Sequence, residues 1–265
     1  MHPALRAAAH ALERFLIPNA CVGCDRVVEP HAPDALLCGV CRSRLRPLTG
    51  GCARCRQPLP PIGPCRFCAD WTEIDMAASA VWHRPPAREI VHGLKYDGLR
   101  PLAAECARAI ARTCPRPQAR ILVPIPLGVR RLRERGYNQA GEIARELSTV
   151  WNLPVGERVL QRAKETGTQT ALTPEQRLAN VQGAFIAESS ASPAGLGGEA
   201  GLIGAEQGGA AAILVDDVLT TGATLRAAAR ALQAAGWPSV GAVTFARAMP
   251  YELRLDVHPA SAHSP

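Results

Sequence analysis

Aromatic residues make up only 4% of this 265-residue chain. A core built with so few must be aliphatic and rich in alanine. The hydrophobic content of 47% is enough for one large domain or two smaller ones. No stretch reaches the length of a membrane span. The opening run "MHPALRAAAHALERFLIP" also lacks the unbroken apolar segment of a signal peptide, because Arg6, His10, Glu13 and Arg14 interrupt it. Ala4, Leu5, Ala8, Leu12, Phe15 and Leu16 fall near one helical face, so residues 1–20 are expected to form a short amphipathic helix. These absences make a cytoplasmic protein the expectation. Acidic residues are in the minority: 30 Lys+Arg against 23 Asp+Glu leave a formal charge of +7. That balance suits a polyanionic partner, either nucleic acid or a phosphorylated small molecule.

Cysteine is the residue the chain does not lack. Eight of the ten lie in four Cys-x-x-Cys pairs: Cys21/Cys24, Cys38/Cys41, Cys52/Cys55 and Cys65/Cys68. Two residues between thiolates let both sulfurs reach one tetrahedral ion, and two such pairs complete a four-sulfur site. Four pairs predict two structural zinc sites in a small zinc-ribbon domain over 21–72. A redox reading would need one pair beside a strand–helix unit. No His or carboxylate stands at ligand spacing here, so both sites read as closed rather than catalytic. Sequential pairing (21/24 with 38/41, 52/55 with 65/68) gives the shorter loops, and interleaved pairing is the alternative. Metal would substitute for a core in so small a segment. Arg42, Arg44, Arg46, Arg54, Arg56 and Arg66 make the segment basic, which suits nucleic acid or a protein surface. Cys106 and Cys114, in "LAAECARAIARTC", are expected to be small core residues.

Beyond residue 72 strands alternate with helices. "AASAVW" (77–82), "RILVP" (120–124), "RVLQRA", "AAILVDD" and "VGAVTFA" read as strands. "PPAREIVHGLKYDGL", the alanine-rich stretch around Cys106, "NQAGEIARELSTVW" and "TLRAAARALQAAGW" read as helices, the last stopped by Gly236. The fold class is therefore α/β: a mostly parallel sheet with helices on both faces, over residues 73–250. A flexible Gly/Ala-rich insertion is expected at 188–210 and a tail at 251–265.

"ILVDDVLTTGATL" (213–225) carries the chemistry. Two acids end a strand, and the next loop opens a helix. Ionised Asp216 and Asp217 only accept hydrogen bonds, so they suit two adjacent sugar hydroxyls. Thr220, Thr221, Gly222, Ala223 and Thr224 can aim backbone N–H groups and hydroxyls at one phosphate, helped by the helix N-terminus. Gly222 permits a close backbone approach. A ribose 5-phosphate fits both halves. The loop has neither the P-loop pattern nor G-x-G-x-x-G.

The same stretch resembles the phosphoribosyl pyrophosphate (PRPP) motif of type I phosphoribosyltransferases. The whole chain resembles the ComF/GntX family, a double zinc ribbon followed by a phosphoribosyltransferase domain. The further matching pieces are "IVHGLKYDG" (90–98), "VPIPLGVRRLRERGYNQA" (123–140) and "RAKETGTQTALTPEQRLANVQGAF" (162–185). The resemblance implies Mg²⁺ bound with PRPP and a pyrophosphate loop carrying Arg130, Arg131 and Arg135. It also implies a mobile flap, 162–180, with Arg162, Lys164, Gln169 and Arg177. Lys95 is a further candidate pyrophosphate ligand, and Lys164 joins Asp216 and Asp217 as a candidate catalytic residue. Two functional classes follow. One is a phosphoribosyltransferase whose acceptor pocket has no signature in the sequence. The other is a single-stranded-DNA-binding accessory of DNA uptake, with PRPP as effector or vestigial ligand. The resemblance allows a homo-oligomer.

Overall fold

The computed structural model describes residues 20–28, 36–60, 62–163, 183–188 and 211–249. Residues 1–19, 189–210 and 250–265, which hold the expected N-terminal helix, most of the insertion and the tail, lie outside them. The elements in chain order are α1 (Gly39–Ser43), β1 (Met76–Trp82), α2 (Ala87–Tyr96), α3 (Leu102–Thr113), β2 (Ile121–Pro124), α4 (Val129–Arg135), α5 (Gln139–Trp151), β3 (Leu160–Arg162), β4 (Phe185–Ala187), β5 (Ala211–Leu219), α6 (Ala223–Ala234) and β6 (Ser239–Arg247).

β1, β6, β5 and β2 form one parallel sheet in that order. Val155 adds a parallel bridge to Leu122. The period of two sorts side chains between the faces. Ile213, Val215, Val243 and Phe245 join one buried layer, with α2, α3 and α5. Ala212, Leu214, Val240 and Ala242 join the other, with α6 and the antiparallel β3–β4 pair. Helices therefore cover both faces, as the alternating pattern predicted. Scarce aromatics leave the work to side chains such as Ile90, Leu94, Leu102, Ile110 and Leu122, all fully buried. Each is worth roughly 1.5–3 kcal/mol of transfer free energy.

Local signals set the helix ends. Asn138 accepts from the Ala140 amide at 3.2 Å and donates to the Ile125 carbonyl at 3.0 Å, tying the start of α5 to the turn after β2. α6 ends just before Gly236, whose φ of +92° no side-chain-bearing residue adopts easily.

The described residues of the cysteine-rich segment share the two cores that flank the sheet. Cys21, Val28, Leu37, Cys41 and Leu45 pack into the α2–α3 layer. Cys55, Cys65, Cys68, Trp71 and Ile74 pack into the α6 layer on the opposite face. Between the two groups the chain crosses the β1 edge. There the Leu48 amide donates to the Ala80 carbonyl at 2.8 Å, and the Ala77 amide to the Arg54 carbonyl at 2.9 Å. The segment covers an edge that would otherwise be open to strand addition.

Candidate functional site

β5 carries both acids to its carboxyl end. Asp217 is buried and lies on the α2 side of the sheet, where Lys95 Nζ sits 2.8 Å from its Oδ1. Burial works to lower the Lys95 pKa, but the charge and hydrogen bond of Asp217 outweigh it and the net shift is upward. Asp217 Oδ2 is buried and has no hydrogen-bond partner among the described residues. Asp216 is half-buried, and its Oδ1 accepts from the Asp217 amide at 2.9 Å. The surrounding protein and then the charge of Asp217 push its carboxyl up to about 7, against opposing pulls from Lys95 and Arg162.

The turn after β5 runs from the strand end straight into α6. Thr220 is exposed, while Thr221 and Thr224 are half-buried. Thr221 Oγ1 accepts from the Ala223 amide at 3.4 Å, and Gly222 adopts φ +81°. α6 begins at Ala223, so its first N–H groups have no intrahelical acceptor.

The basic candidates divide. Arg130, Arg131 and Arg135 stand on α4 and not in the turn that precedes it. Arg130 pairs with Glu134 at 2.8 Å. Arg135 donates to Gln139 and lies over the Tyr96 ring, its guanidinium carbon 5.8 Å from the centroid. Arg162 ends β3, close enough for its charge to act on Asp216. Lys164, Gln169 and Arg177 lie outside the described residues.

The eight paired cysteines form two groups, 21/24/38/41 and 52/55/65/68, the sulfurs of each within 4.8 Å of one another. This is the sequential pairing. Facing sulfurs are 3.7 Å apart in Cys24–Cys38 and 3.6 Å in Cys52–Cys68 and Cys55–Cys65. Zn–S bonds of about 2.3 Å in a tetrahedron place sulfurs about 3.8 Å apart, whereas a disulfide needs about 2.05 Å. The donor sets fit zinc. Cys106 and Cys114 are buried core residues, and burial raises both thiols, that of Cys114 to about 12.

Two of the six arginines counted as basic surface point inward. Arg42 pairs with the buried Glu105 of α3, its Nε 3.0 Å from Oε1. Arg54 donates to the carbonyls of Ile74 at 2.6 Å and Cys68 at 3.3 Å. Arg44, Arg46 and Arg66 are exposed, and Arg56 is half-buried.

Three residues near the site had no sequence motif. His83 follows β1, is half-buried, and has its pKa lowered by burial and by Lys95. A strand's carboxyl end is where ligands gather in such sheets, so its position was the available signal. Trp71 covers the Gly222 turn, and Arg247 lies buried beside Cys55. No local pattern announces either.

Comparison with known proteins agrees with this architecture. Residues 132–262 match the phosphoribosyl transferase domain family. The match begins inside α4, yet β1 and β2 complete the same sheet. DNA utilization protein YhgH of Salmonella typhi is 27% identical over 208 residues, 74% of this chain and 83% of that protein. Competence protein F of Haemophilus influenzae is 25% identical over 235 residues, 86% of this chain and 90% of that protein. Competence protein ComFC of Bacillus subtilis is 27% identical over 216 residues, 76% and 79% of the two chains. Fold and family match thus define a phosphoribosyltransferase-type α/β domain. Two four-cysteine groups lie ahead of that domain, and over most of its length the chain is similar to ComF-type competence and DNA utilization proteins.

Proposed function

We propose that the chain binds PRPP with magnesium at the carboxyl edge of its sheet and acts there as a phosphoribosyltransferase. The observation that carries this reading is the acid pair Asp216–Asp217 running directly into a glycine-bearing helix start. The Thr220–Thr224 turn would take the 5-phosphate through backbone N–H groups and hydroxyls. Asp216 and Asp217 would accept from the ribose hydroxyls. The unpartnered Asp217 Oδ2 is an acceptor of the right kind for a hydroxyl or a hard cation. Bound magnesium would supply charge neutralisation at the pyrophosphate.

Transfer breaks the bond between C1 and the pyrophosphate oxygen, and pyrophosphate leaves with the electron pair. A nitrogen nucleophile attacks C1 and gives up its proton. Lys95, Arg130, Arg131, Arg135, Lys164, Gln169 and Arg177 are the proposed donors for the leaving group, and exclusion of water would protect the activated sugar. No covalent enzyme intermediate is required.

A nucleic-acid partner is the second reading. The names of the relatives favour it, and so do the outward-facing Arg44, Arg46 and Arg66 of the cysteine-rich segment. In that reading single-stranded DNA binds the segment and PRPP is an effector. Zinc in the two cysteine groups and a cytoplasmic location belong to both readings.

Calorimetric titration of magnesium-PRPP into the zinc-loaded chain, with and without single-stranded DNA, separates them. Binding that ignores DNA supports an enzyme. Binding that DNA strengthens or weakens makes PRPP an effector. Asp216→Asn with Asp217→Asn should abolish PRPP binding, and unchanged affinity in that variant would overturn the site. DNA affinity should fall steeply with salt, as phosphate contacts require.

A further inference from the structure

The turn that would hold the phosphate is backed by a residue of the cysteine-rich segment. Trp71 is 3% exposed and lies directly against Gly222. A Cβ added at Gly222 would meet the indole Cζ2 at 2.5 Å and Cη2 at 3.1 Å. The ring thus occupies the space that any larger residue, or another path of the turn, would need.

Trp71 is itself held from the second cysteine group. Its amide donates to the Cys68 carbonyl at 3.2 Å. Phe67, inside the Cys65–Cys68 turn, stands edge-on to it at 5.2 Å. Arg54, in the Cys52–Cys55 turn, donates to the carbonyls of Trp71, Cys68 and Ile74. Arg247, from the end of β6, donates to the Cys55 carbonyl at 2.7 Å and lies 4.2 Å from the Phe67 ring. On the other side of Trp71, Arg226 in the first turn of α6 reaches back to Asp70 at 2.8 Å and Glu73 at 3.0 Å. The residues flanking Trp71 are therefore bonded to the helix whose N-terminus the turn opens. The first cysteine group packs on the opposite face, against α2 and α3.

We propose that Trp71 is a positioning residue for the Gly222 turn, and that the metal site 52/55/65/68 is the anchor that sets it. Glycine at φ +81° has wide backbone freedom, which the indole removes. Loss of the ion from this site would release the Cys65–Cys68 turn, then Trp71, then the phosphate-binding backbone. Loss from the 21/24/38/41 site would leave that turn in place. The effect on a phosphate ligand rests on the function proposed above; the effect on the turn does not.

Hydrogen exchange on the full chain tests the coupling. Trp71→Ala should speed exchange of the amides in 219–226 by about tenfold or more, with α2 and α3 unchanged and zinc still two per chain. Trp71→Phe, which keeps a ring over the glycine, should restore most of the protection. Cys65→Ser with Cys68→Ser should act like Trp71→Ala, and Cys21→Ser with Cys24→Ser should not. Where a cysteine variant fails to fold, partial stripping of wild-type zinc by a chelator gives the same comparison, read against which group has lost metal. Equal exchange of 219–226 in Trp71→Ala and wild type would overturn the proposal, as would an equal response to loss of either site. Ribose 5-phosphate, titrated in parallel, should bind Trp71→Ala about tenfold more weakly and Trp71→Phe nearly normally. Unaltered affinity in Trp71→Ala counts against the proposal. If wild type binds no ribose 5-phosphate but the exchange pattern holds, the positioning role stands and the ligand reading fails.

Discussion

Lys95 Nζ and Asp217 Oδ1, 2.8 Å apart, form an ion pair between the end of α2 and the end of β5, with the carboxylate almost wholly out of water. The pair changes the electrostatics expected from two adjacent acids. Lysine neutralises one, and the other holds its proton up to about pH 7. If the site takes PRPP as proposed, it gains from this, because two bare carboxylates would repel a pyrophosphate. Lys95→Met should leave the buried Asp217 carboxyl without its partner, at a cost of about 3–5 kcal/mol. Urea unfolding measures it. Asp217→Asn added to that variant should recover much of the loss, so the two changes should be strongly non-additive.

Asp216 gives the protein a pH dependence whose sign is fixed. Its folded pKa, about 7, lies above the ordinary 3.8. The native state therefore holds the proton more tightly than the unfolded chain between those values. The stability this contributes is complete below about pH 4 and is lost as pH rises through 7. Asp216→Asn removes the charge and should be the more stable protein above pH 7, by roughly 1–4 kcal/mol. The difference should vanish near pH 4. Thermal unfolding of both proteins across pH 4–8 reads this directly, and a constant difference would show that Asp216 ionises normally.

Much of this site was legible because its signals are local. A strand that ends in two acids and runs into Thr-Thr-Gly-Ala-Thr declares its own geometry. Lysine occurs at only two positions, 95 and 164, in a chain that otherwise uses arginine, and both fall in the stretches 90–98 and 162–185 that resemble the family. The cysteine groups were legible because spacing alone sets metal geometry. What could not be read came from distant contacts. Nothing around Trp71 announces that it backs Gly222, and nothing around Arg42 announces Glu105. The boundary at residue 72 followed a change of composition. The structure places the segment's described residues over both faces of one sheet, because four cysteines and a few apolar residues bury well only against a larger neighbour. The family resemblance, and no local signal, put the arginines of α4 in a loop. The helix starts one residue after Gly128.

Gly222 and Gly236 allow backbone strain to be separated from crowding. Both have positive φ, +81° and +92°, but a Cβ at Gly236 meets nothing within 4 Å. Gly236→Ala should cost about 1 kcal/mol of stability from the backbone alone. Gly222→Ala must also displace an indole ring, which raises the cost to about 2–4 kcal/mol. In a Trp71→Ala background the extra part should disappear, leaving the two glycine substitutions alike. Urea midpoints for wild type, the three single variants and the Trp71→Ala/Gly222→Ala double variant settle whether the ring is the obstacle.

Arg247 is the last residue of β6, 1% exposed, and its guanidinium reaches the Cys55 carbonyl with Nη2 4.0 Å from the Cys55 sulfur. Burying a guanidinium among apolar groups is costly, and here burial lowers its pKa. Four thiolates on one zinc ion carry a net charge of about −2, so the cation has a natural partner when metal is bound. Arg247→Leu should leave zinc at 52/55/65/68 held about 10–100-fold more weakly, the range found for lost outer partners of metal ligands. Arg42→Leu, which breaks the ion pair with Glu105 beside the other group, should not affect that site. A colorimetric chelator competing for zinc should therefore show one ion released early from Arg247→Leu and the second retained as in wild type. Release of both ions together would mean that Arg247 supports the fold and has no particular bond to the second site.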